Sequence, residues 1–194
     1  TIESDGNYTI VTNGTSTAAP MVSGVIALML EANPDLSWRD VQHILVRSSK
    51  KVDAHHPGWF PTKANREYNN AYGYGLLDAN AAVNYAKEWV NVQDEVSVSS
   101  VKVNVDEYIL DDNNEGVNST IFIDRSINIE SVEILVNITH GSRGDLNVFL
   151  ESPNGIVSDL VRENTQDLNS HYYNWTFTSV VHWGENSFGE WNVK

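Results

Sequence analysis

The chain has 194 residues with 12 basic and 26 acidic side chains, a formal net charge of −14 and a hydrophobic fraction of 41%. This composition is typical of a folded protein and excludes wholesale disorder. The acidic excess disfavours nucleic-acid binding because it repels phosphates, and the absence of cysteine excludes disulfides, a thiol nucleophile and a cysteine metal site.

The first predicted element is a helix over residues 16–32 that is apolar on nearly all sides. Such a helix is normally buried within a larger domain. Its longest apolar run, residues 21–30, is shorter than the roughly 20 residues of a membrane span, so we predict a core helix and no membrane segment. Pro20 fits a position in the first turn, where backbone N–H groups lack helical partners. No signal peptide is visible and the chain begins with threonine, so we expect a piece or a processed form.

Two more helices are predicted in the first half. Ser37 with Asp40 forms a capping-box start, and Asp78 is a preferred N-cap for the third helix. Between these helices, residues 50–72 are rich in Asn, Pro, Gly and Lys, which predicts a surface loop. Residues 72–75 alternate tyrosine and glycine and predict a tight backbone passage.

From about residue 95 the hydrophobic period changes to two, which predicts short strands. The alternating stretches are 101–105, 127–129, 132–138, 146–150 and 175–179. Short strands separated by turn signals suggest a β-sandwich or jelly roll. We place the boundary between the two halves near residues 90–96, and the half from residue 94 has a net charge of −12.

The segment Gly14-Thr15-Ser16 is the candidate catalytic site. Ser16 would lie where a long helix begins, so unpaired N–H groups and the helix dipole would stabilise an oxyanion formed when serine attacks an acyl carbon. Gly14 would let a substrate approach the backbone closely. The alternative is that Ser16 merely N-caps a core helix, a role in which serine is preferred.

A nucleophilic Ser16 has two possible settings. In the Gly-x-Ser-x-Gly elbow of α/β-hydrolases the acid and histidine follow the serine, but Ala18 replaces the second glycine and no repeated strand–helix units follow. In the subtilisin order, both partners precede the serine and would lie upstream of this chain. The rest of the sequence favours the second setting. A self-contained serine esterase that uses a downstream histidine is a more distant alternative.

Several stretches carry a family resemblance. In the first half they are Gly14-Thr15-Ser16 with Ala19-Pro20, and residues 30–34, 38–42 and 72–79; in the second half they are residues 143–146, 152–155, 175–177, 182–186 and 189–191. These resemble the kexin/furin branch of the subtilisin-like serine proteases, the proprotein convertases. The resemblance implies the C-terminal part of an α/β subtilisin-like domain over residues 1–93, mainly helical here. An all-β jelly-roll or sandwich P domain would follow over residues 94–194, and both domains would be incomplete.

The resemblance also implies a function. Such enzymes are serine endopeptidases that cut proproteins after paired basic residues, use calcium and work in the secretory pathway, in the Golgi or after secretion. Of the family's catalytic residues only Ser16 carries over, with its backbone N–H in the oxyanion hole. The Asp, the His, the oxyanion side chain, the acidic pocket and the calcium ligands lie upstream, so this chain alone is predicted to be inactive. The expected partners are basic peptides or proproteins and the upstream catalytic half of the same chain.

The main alternative is a catalytically inactive pseudoprotease or a β-sandwich interaction module. It gains weight from Thr17, which replaces the alanine that commonly follows the nucleophile in the family.

Other features have structural explanations. We predict that His55-His56 is a solvent-exposed loop pair rather than a metal site, and that His43 is a surface residue or a neighbour of Asp40. Arg143-Gly144-Asp145 is predicted to be a turn that leads into a strand, and residues 111–115 a solvated acidic turn. The candidate N-glycosylation residues are Asn118, which lies in a polar stretch, and Asn137. The remaining sequons begin at Asn7, Asn13 and Asn174.

Overall fold

The computed structural model describes residues 14–63, 65–111, 113 and 115–194. They form two compact units. The first consists of the described parts of Thr1–Trp59 and Asn69–Asp94, and the second of the described parts of Phe60–Tyr68 and Glu95–Lys194. The domain limits inferred from the sequence stay a prediction, and the assignment of Phe60–Tyr68 to the second unit was not anticipated.

The first helix, α1 (Thr15–Ala32), forms where it was predicted, but it is not buried on all sides. Met29 is its one fully buried residue, whereas Met21 is 72% exposed. The described residues therefore do not enclose the helix as its composition suggested. By length and composition alone α1 could cross a membrane, so the prediction of no membrane segment stays a prediction. The core helix of a soluble protein passes the same test.

The other two helices, α2 (Trp38–Ser48) and α3 (Ala79–Lys87), have the predicted N-caps. Ser37 and Asp40 form a complete capping box, and the Asp78 side chain accepts a hydrogen bond from the first turn of α3. The three helices share one apolar core because each turns a small or aliphatic stripe inward. Its buried members are Met29, Leu36, Ile44, Ala82 and Ala86.

The predicted surface loop over residues 50–72 is more ordered than its composition suggested. Four two-residue strands lie in or beside it, paired antiparallel as β1 with β4 and β2 with β3. They are β1 (Ser49–Lys50), β2 (Phe60–Pro61), β3 (Glu67–Tyr68) and β4 (Leu76–Leu77). Asn69 is 1% exposed, with its side chain bonded to His56 and Ala71. The prediction of a loop is wrong at these strands, because their backbone groups are hydrogen bonded to a partner strand. Composition gives no information on such pairing.

The tight passage at residues 72–75 is confirmed. Gly73 and Gly75 have φ angles of 58° and 110°, in the region that favours glycine. A Cβ on Gly75 would also collide with the Lys50 carbonyl oxygen. Position 75 therefore requires glycine for two reasons, its positive φ angle and the close approach of β1.

The second unit contains six longer strands in two antiparallel sheets. One sheet has the order β5-β10-β7-β8, and the other pairs β6 with β9. The strands are β5 (Ser119–Ile123), β6 (Val132–Ile138), β7 (Val148–Glu151), β8 (Val157–Val161), β9 (Tyr172–Ser179) and β10 (Gly189–Val193). The predictions at 132–138 and 175–179 are confirmed in position, and the strand predicted at 146–150 begins two residues later, at Val148.

Two predicted strands do not form. Residues 101–105 have no strand partner and Val101 is 84% exposed. Residues 127–129 make only an isolated bridge, between Asn128 and Asn186. Alternating valine or isoleucine side chains suit the half-buried face of a sheet. A strand also requires a neighbouring strand that pairs with its backbone, and the alternation gives no information on whether such a neighbour exists.

Both sheets contribute to the same apolar clusters. One cluster is built on Ile129, Leu150 and Trp191, and residues of both β5 and β6 pack against it. The other is built on Leu146, Tyr172 and Phe177. The second unit therefore has its core between strands of the two sheets.

Candidate functional site

The predicted nucleophile Ser16 is the second residue of α1, and its side chain is exposed. The N-cap is Gly14, whose φ of 112° and ψ of 155° are accessible to glycine and strained for other residues. The alternative that Ser16 serves only as the N-cap is therefore wrong. An exposed hydroxyl in the first helical turn can reach a substrate.

The start of α1 places backbone N–H groups, which carry partial positive charge, around Ser16. The Gly14 carbonyl accepts from the N–H groups of Thr17 and Ala18 at 3.1 and 3.4 Å. The N–H of Ser16 lies in the turn that lacks helical acceptors, at the positive end of the dipole. This geometry suits the stabilisation of negative charge on an oxygen placed beside Ser16.

Pro20 lies further into the helix than predicted. Because α1 begins at Thr15, Pro20 is its sixth residue, beyond the first turn. Its missing N–H would otherwise have bonded the carbonyl of Ser16, four residues earlier. The prediction that Pro20 occupies a free first-turn position is wrong, and the proline leaves the Ser16 carbonyl without its helical donor.

The described residues do not assemble the partners of a nucleophile at Ser16. In the described part of the chain, no imidazole or carboxylate is hydrogen bonded to the Ser16 side chain. The prediction that both partners lie upstream therefore stays a prediction.

The histidine pair of the first unit has a structural role that was predicted only in part. His55 is exposed, as expected. His56 is half-buried: its Nδ1 lies 3.0 Å from the Asn69 amide nitrogen and accepts from the Gly58 N–H at 3.1 Å, and its ring meets Tyr72 edge-on. His56 therefore organises the loop, and the expectation that both rings are solvated is wrong for it.

Asp40 is an anchor that joins α2 to the segment after α3. Its Oδ1 accepts from the Trp89 indole at 2.8 Å and from the Val92 N–H at 2.7 Å, while Oδ2 accepts from the Ser37 N–H at 2.8 Å. Burial raises the pKa of this carboxyl, but the hydrogen bonds from Ser37, Val92 and Trp89 outweigh that effect and lower the pKa to about 2. His43 lies beside Trp89, with ring centroids 6.3 Å apart.

Replacement of Asp40 by alanine is expected to destabilise the first unit by about 3 kcal/mol, because buried donors lose a charged acceptor. The folded-state pKa lies below the ordinary 3.8, so the stabilising charge is present above about pH 4 and is lost as the pH falls towards 2. The melting-temperature difference between wild type and Asp40→Ala should therefore shrink over that range. Asp35→Ala, an exposed carboxylate before the same helix, is the matched control and should change little. A difference that persists unchanged at pH 2 would contradict the assignment.

The second unit contains a buried hydrogen-bonded pair that was not predicted from the sequence. His182 and Glu185 are both fully buried, with Nδ1 donating to Oε1 at 2.9 Å. Glu185 Oε2 accepts from the Asn154 amide at 2.9 Å. Burial raises the pKa of Glu185, but hydrogen bonds from His182, Ser152 and Asn154 outweigh it, so the pKa lies below its ordinary value.

This pair connects two turns of the second unit, because Ser152 and Asn154 lie between β7 and β8 while Glu185 precedes β10. Nε2 of His182 has no hydrogen-bond partner among the described residues. The sequence signal was available, since both residues fall in the stretch 182–186, but spacing alone does not reveal burial.

Arg143-Gly144-Asp145 forms a short 3-10 helix, which agrees with its predicted structural role. The Arg143 guanidinium bonds Asp167 at 2.8 Å and lies 5.3 and 5.1 Å from the ring centroids of Tyr172 and Trp175. A Cβ on Gly144 would collide with the backbone of residues 164 and 167. The tripeptide is therefore built into the fold.

The candidate glycosylation residues differ in their surroundings. Asn118 is exposed and directly precedes β5. Asn137 lies in β6, and its Oδ1 accepts from the backbone N–H of Asn174 at 3.0 Å. The sequons at Asn7 and Asn13 lie outside the described residues.

The residues that the structure describes contain no group of three His, Asp or Glu side chains that could hold a metal ion. The acidic stretch 111–115 is described only at residues 111, 113 and 115, which are exposed. The calcium expected from the resemblance therefore has no fitting ligand set in the described part of the chain.

Comparison with known proteins places both halves in families. Residues 2–75 match the subtilase family, and residues 129–194 match the proprotein convertase P-domain. Ser16 lies within the first match, and the buried pair of His182 and Glu185 lies within the second.

Individual relatives agree with these matches. The kexin of Candida albicans is 37% identical over 93% of this chain, which spans 21% of that relative. The dibasic-processing endoprotease of Schizosaccharomyces pombe is 36% identical over 100% of this chain, and 29% of its own length is covered. The crystal structure of a serine protease of Aeromonas sobria superposes with a TM-score of 0.81 at 28% identity, covering 97% of this chain and 38% of that one. The chain thus spans less than a third of either curated relative.

Proposed function

Since the chain belongs to the kexin-like proprotein convertases of the subtilase family, we propose that it is part of a serine endopeptidase that cleaves proproteins after paired basic residues. The observation that carries the proposal is the position of Ser16, exposed in the first turn of α1 beside the glycine N-cap. A hydroxyl there combines access for a substrate with backbone N–H groups suited to an oxyanion.

In the proposed reaction the Ser16 Oγ attacks the carbonyl carbon of the scissile peptide. A histidine from the upstream part of the protein takes the hydroxyl proton and passes it to the leaving amine. The acyl-enzyme is then hydrolysed by water, which restores Ser16. The N–H of Ser16 would donate to the oxyanion in both steps, and a helix that begins at Thr15 holds that N–H in place.

The proposed preference for paired basic residues rests on the family resemblance and on the name of the Schizosaccharomyces pombe relative, a dibasic-processing endoprotease. Carboxylates in the upstream part would hold the two cationic side chains through charge-assisted hydrogen bonds. The net charge of −12 on residues 94–194 adds a weak long-range attraction for basic substrates at physiological salt.

Peptides test this specificity directly. The full-length protein is expected to cleave a peptide containing Lys-Arg, and replacement of either basic residue by alanine should lower kcat/KM by roughly 10- to 100-fold. The readout is release of a fluorophore after the second basic residue, with norleucine in place of lysine as the control for side-chain length. Equal rates for all these peptides would contradict the specificity, and no cleavage at all would favour the inactive-homologue alternative.

Further properties are part of the same proposal. The second unit would be a β-sandwich P domain, an arrangement supported by apolar clusters shared between its two sheets. The exposed apolar side of α1 would pack against the upstream part of the catalytic domain, which makes it a core helix. Calcium binding, a location in the secretory pathway and N-glycosylation at Asn118 are proposed from the resemblance and the sequons.

A further inference from the structure

The chain contains one pair of adjacent basic residues, Lys50-Lys51, followed by Val52. If the proposed function is correct, this pair matches the sequence that the protein itself would cut. Its surroundings in the first unit determine whether a peptidase could reach it. Three sets of contacts restrain it.

The backbone on the amino-terminal side is held in a sheet. Lys50 is in β1 and pairs with Leu76 of β4. Gly75 approaches the Lys50 carbonyl so closely that a single added carbon would collide with it. This side of the pair therefore has one of its strand edges paired with β4 and its carbonyl closely approached by Gly75.

Both lysine side chains are exposed, that of Lys50 at 72%, and each cationic group has a partner within the unit. The Lys50 ammonium forms an ion pair with Asp78, the N-cap of α3. This hydrogen bond from Lys50 is the main reason that the pKa of Asp78 lies below its ordinary value. The Lys51 ammonium lies 5.3 Å from the centroid of the Trp59 ring. A peptidase that reads two cations would have to detach each from an existing partner.

The backbone on the carboxyl-terminal side is also fixed. The Trp59 indole N–H donates to the carbonyls of Val52 and Asp53, each at 3.1 Å. Asp53 has a φ of 43°, so the chain turns immediately after Val52 instead of continuing extended. Tyr72 supports this arrangement through a hydrogen bond to Asp53 at 3.2 Å and a stacked contact with Trp59.

We propose that Lys50-Lys51 is a latent self-cleavage site, masked by the fold of the first unit and exposed when β1 separates from β4. The reaction is hydrolysis of the Lys51–Val52 peptide bond: one water is consumed, Lys51 gains a carboxylate and Val52 gains an α-amino group. Proteolysis within a folded region requires local opening, so the cleavage rate reports the population of the opened form. A molecule that loses the β1–β4 pairing would thus be cut by an intact copy. This inference rests on the proposed function.

The experiment uses full-length proteins that carry Ser16→Ala as substrates and the wild-type enzyme as the peptidase. The matched control is Val101→Lys, which places Lys-Lys-Val in a segment where Val101 is 84% exposed and no strand forms. We expect cleavage after Lys102 in that variant, at least about tenfold faster than cleavage after Lys51 in the same molecule.

Two variants open the masked site. Gly75→Ala should separate β1 from β4, and Trp59→Phe should remove the indole donor while keeping an aromatic ring. Each is expected to yield a fragment that begins at Val52, at least about tenfold faster than the parent. Lys51→Gln in the same background should abolish the fragment. Mass spectrometry identifies each new terminus, and hydrogen exchange over residues 48–60 reports whether the local structure has opened.

The outcomes separate the two hypotheses. Cleavage of the parent after Lys51 as fast as after Lys102 in the control would overturn the masking. Opening in either variant without a Val52 fragment, while the Val101→Lys control is cut, would overturn the latent site and leave the proposed function intact. If neither the control nor a dibasic peptide is cleaved, the proposed function fails, and the latent self-cleavage site fails with it. Trypsin, which cuts after any lysine, tests the masking in that case, and rapid cutting after Lys51 would refute it.

Discussion

Replacement of Ser16 by alanine in the full-length protein is expected to lower kcat for peptide cleavage by about 10⁶-fold, the size of loss found when the serine of a catalytic triad is removed. The reason is that no covalent acyl-enzyme can form without the hydroxyl. KM should change little, because the alanine leaves the helix start and the N–H groups of the first turn in place. A peptide with a fluorogenic leaving group, cleaved after Lys-Arg, measures both constants.

Ser23→Ala is the matched control for this loss. Ser23 lies seven residues further along α1, and its hydroxyl donates to the Ala19 carbonyl at 3.1 Å. That substitution should leave kcat within a few-fold of wild type. A Ser16→Ala enzyme that retains activity would show that Ser16 is not the nucleophile. An inactive wild type that binds basic peptides would instead support the interaction-module alternative.

Replacement of Glu185 by alanine is expected to destabilise the second unit by about 3–5 kcal/mol. The substitution removes one partner of a fully buried pair and leaves His182 and Asn154 without their acceptor. Hydrogen exchange in the full-length protein, followed over residues 180–193, should accelerate by at least about 100-fold, because each 1.4 kcal/mol corresponds to about a factor of ten.

Glu190→Ala serves as the control, since Glu190 is an exposed residue of β10 in the same unit. It should change local stability by no more than about 0.5 kcal/mol. The pKa of Glu185 lies below its ordinary value of 4.5, so its stabilising charge is complete above about that pH and is lost as the pH falls through the lower folded-state pKa. Similar exchange rates for the two variants near neutral pH would contradict the role of the pair.

Elements with strong local signals were predicted well. The capping box of Ser37 and Asp40, the Asp78 cap and the glycine passage depend on contacts between residues close in sequence, so their spacing is sufficient. The strand at residues 132–138 also formed where alternation predicted it. Residues 101–105 show the limit, because their alternation is equally regular and yet no strand pairs with them.

At the candidate site, too, features that depend on neighbouring residues were predicted and long-range contacts were not. Ser16 was identified from the glycine before it and the apolar helix after it, both of which are local features. The hydrogen bonds of Asp40 to Trp89 and of Glu185 to Asn154 were not identified, because these partners lie 49 and 31 residues away. Long-range hydrogen bonds of this kind leave no periodicity in the chain.

The amino-acid sequence by itself determined the family, the position of the candidate nucleophile at the start of a helix, the cap residues and the change from helical to alternating hydrophobicity. Only the tertiary structure decided that α1 is largely exposed, that Glu185 is buried against His182, and that Lys50-Lys51 is held between β4 and Trp59. The physical reason is that caps and periodicity arise from interactions within a few residues. Burial and masking depend instead on which distant segments meet, and the energy of those contacts appears only when the chain is folded.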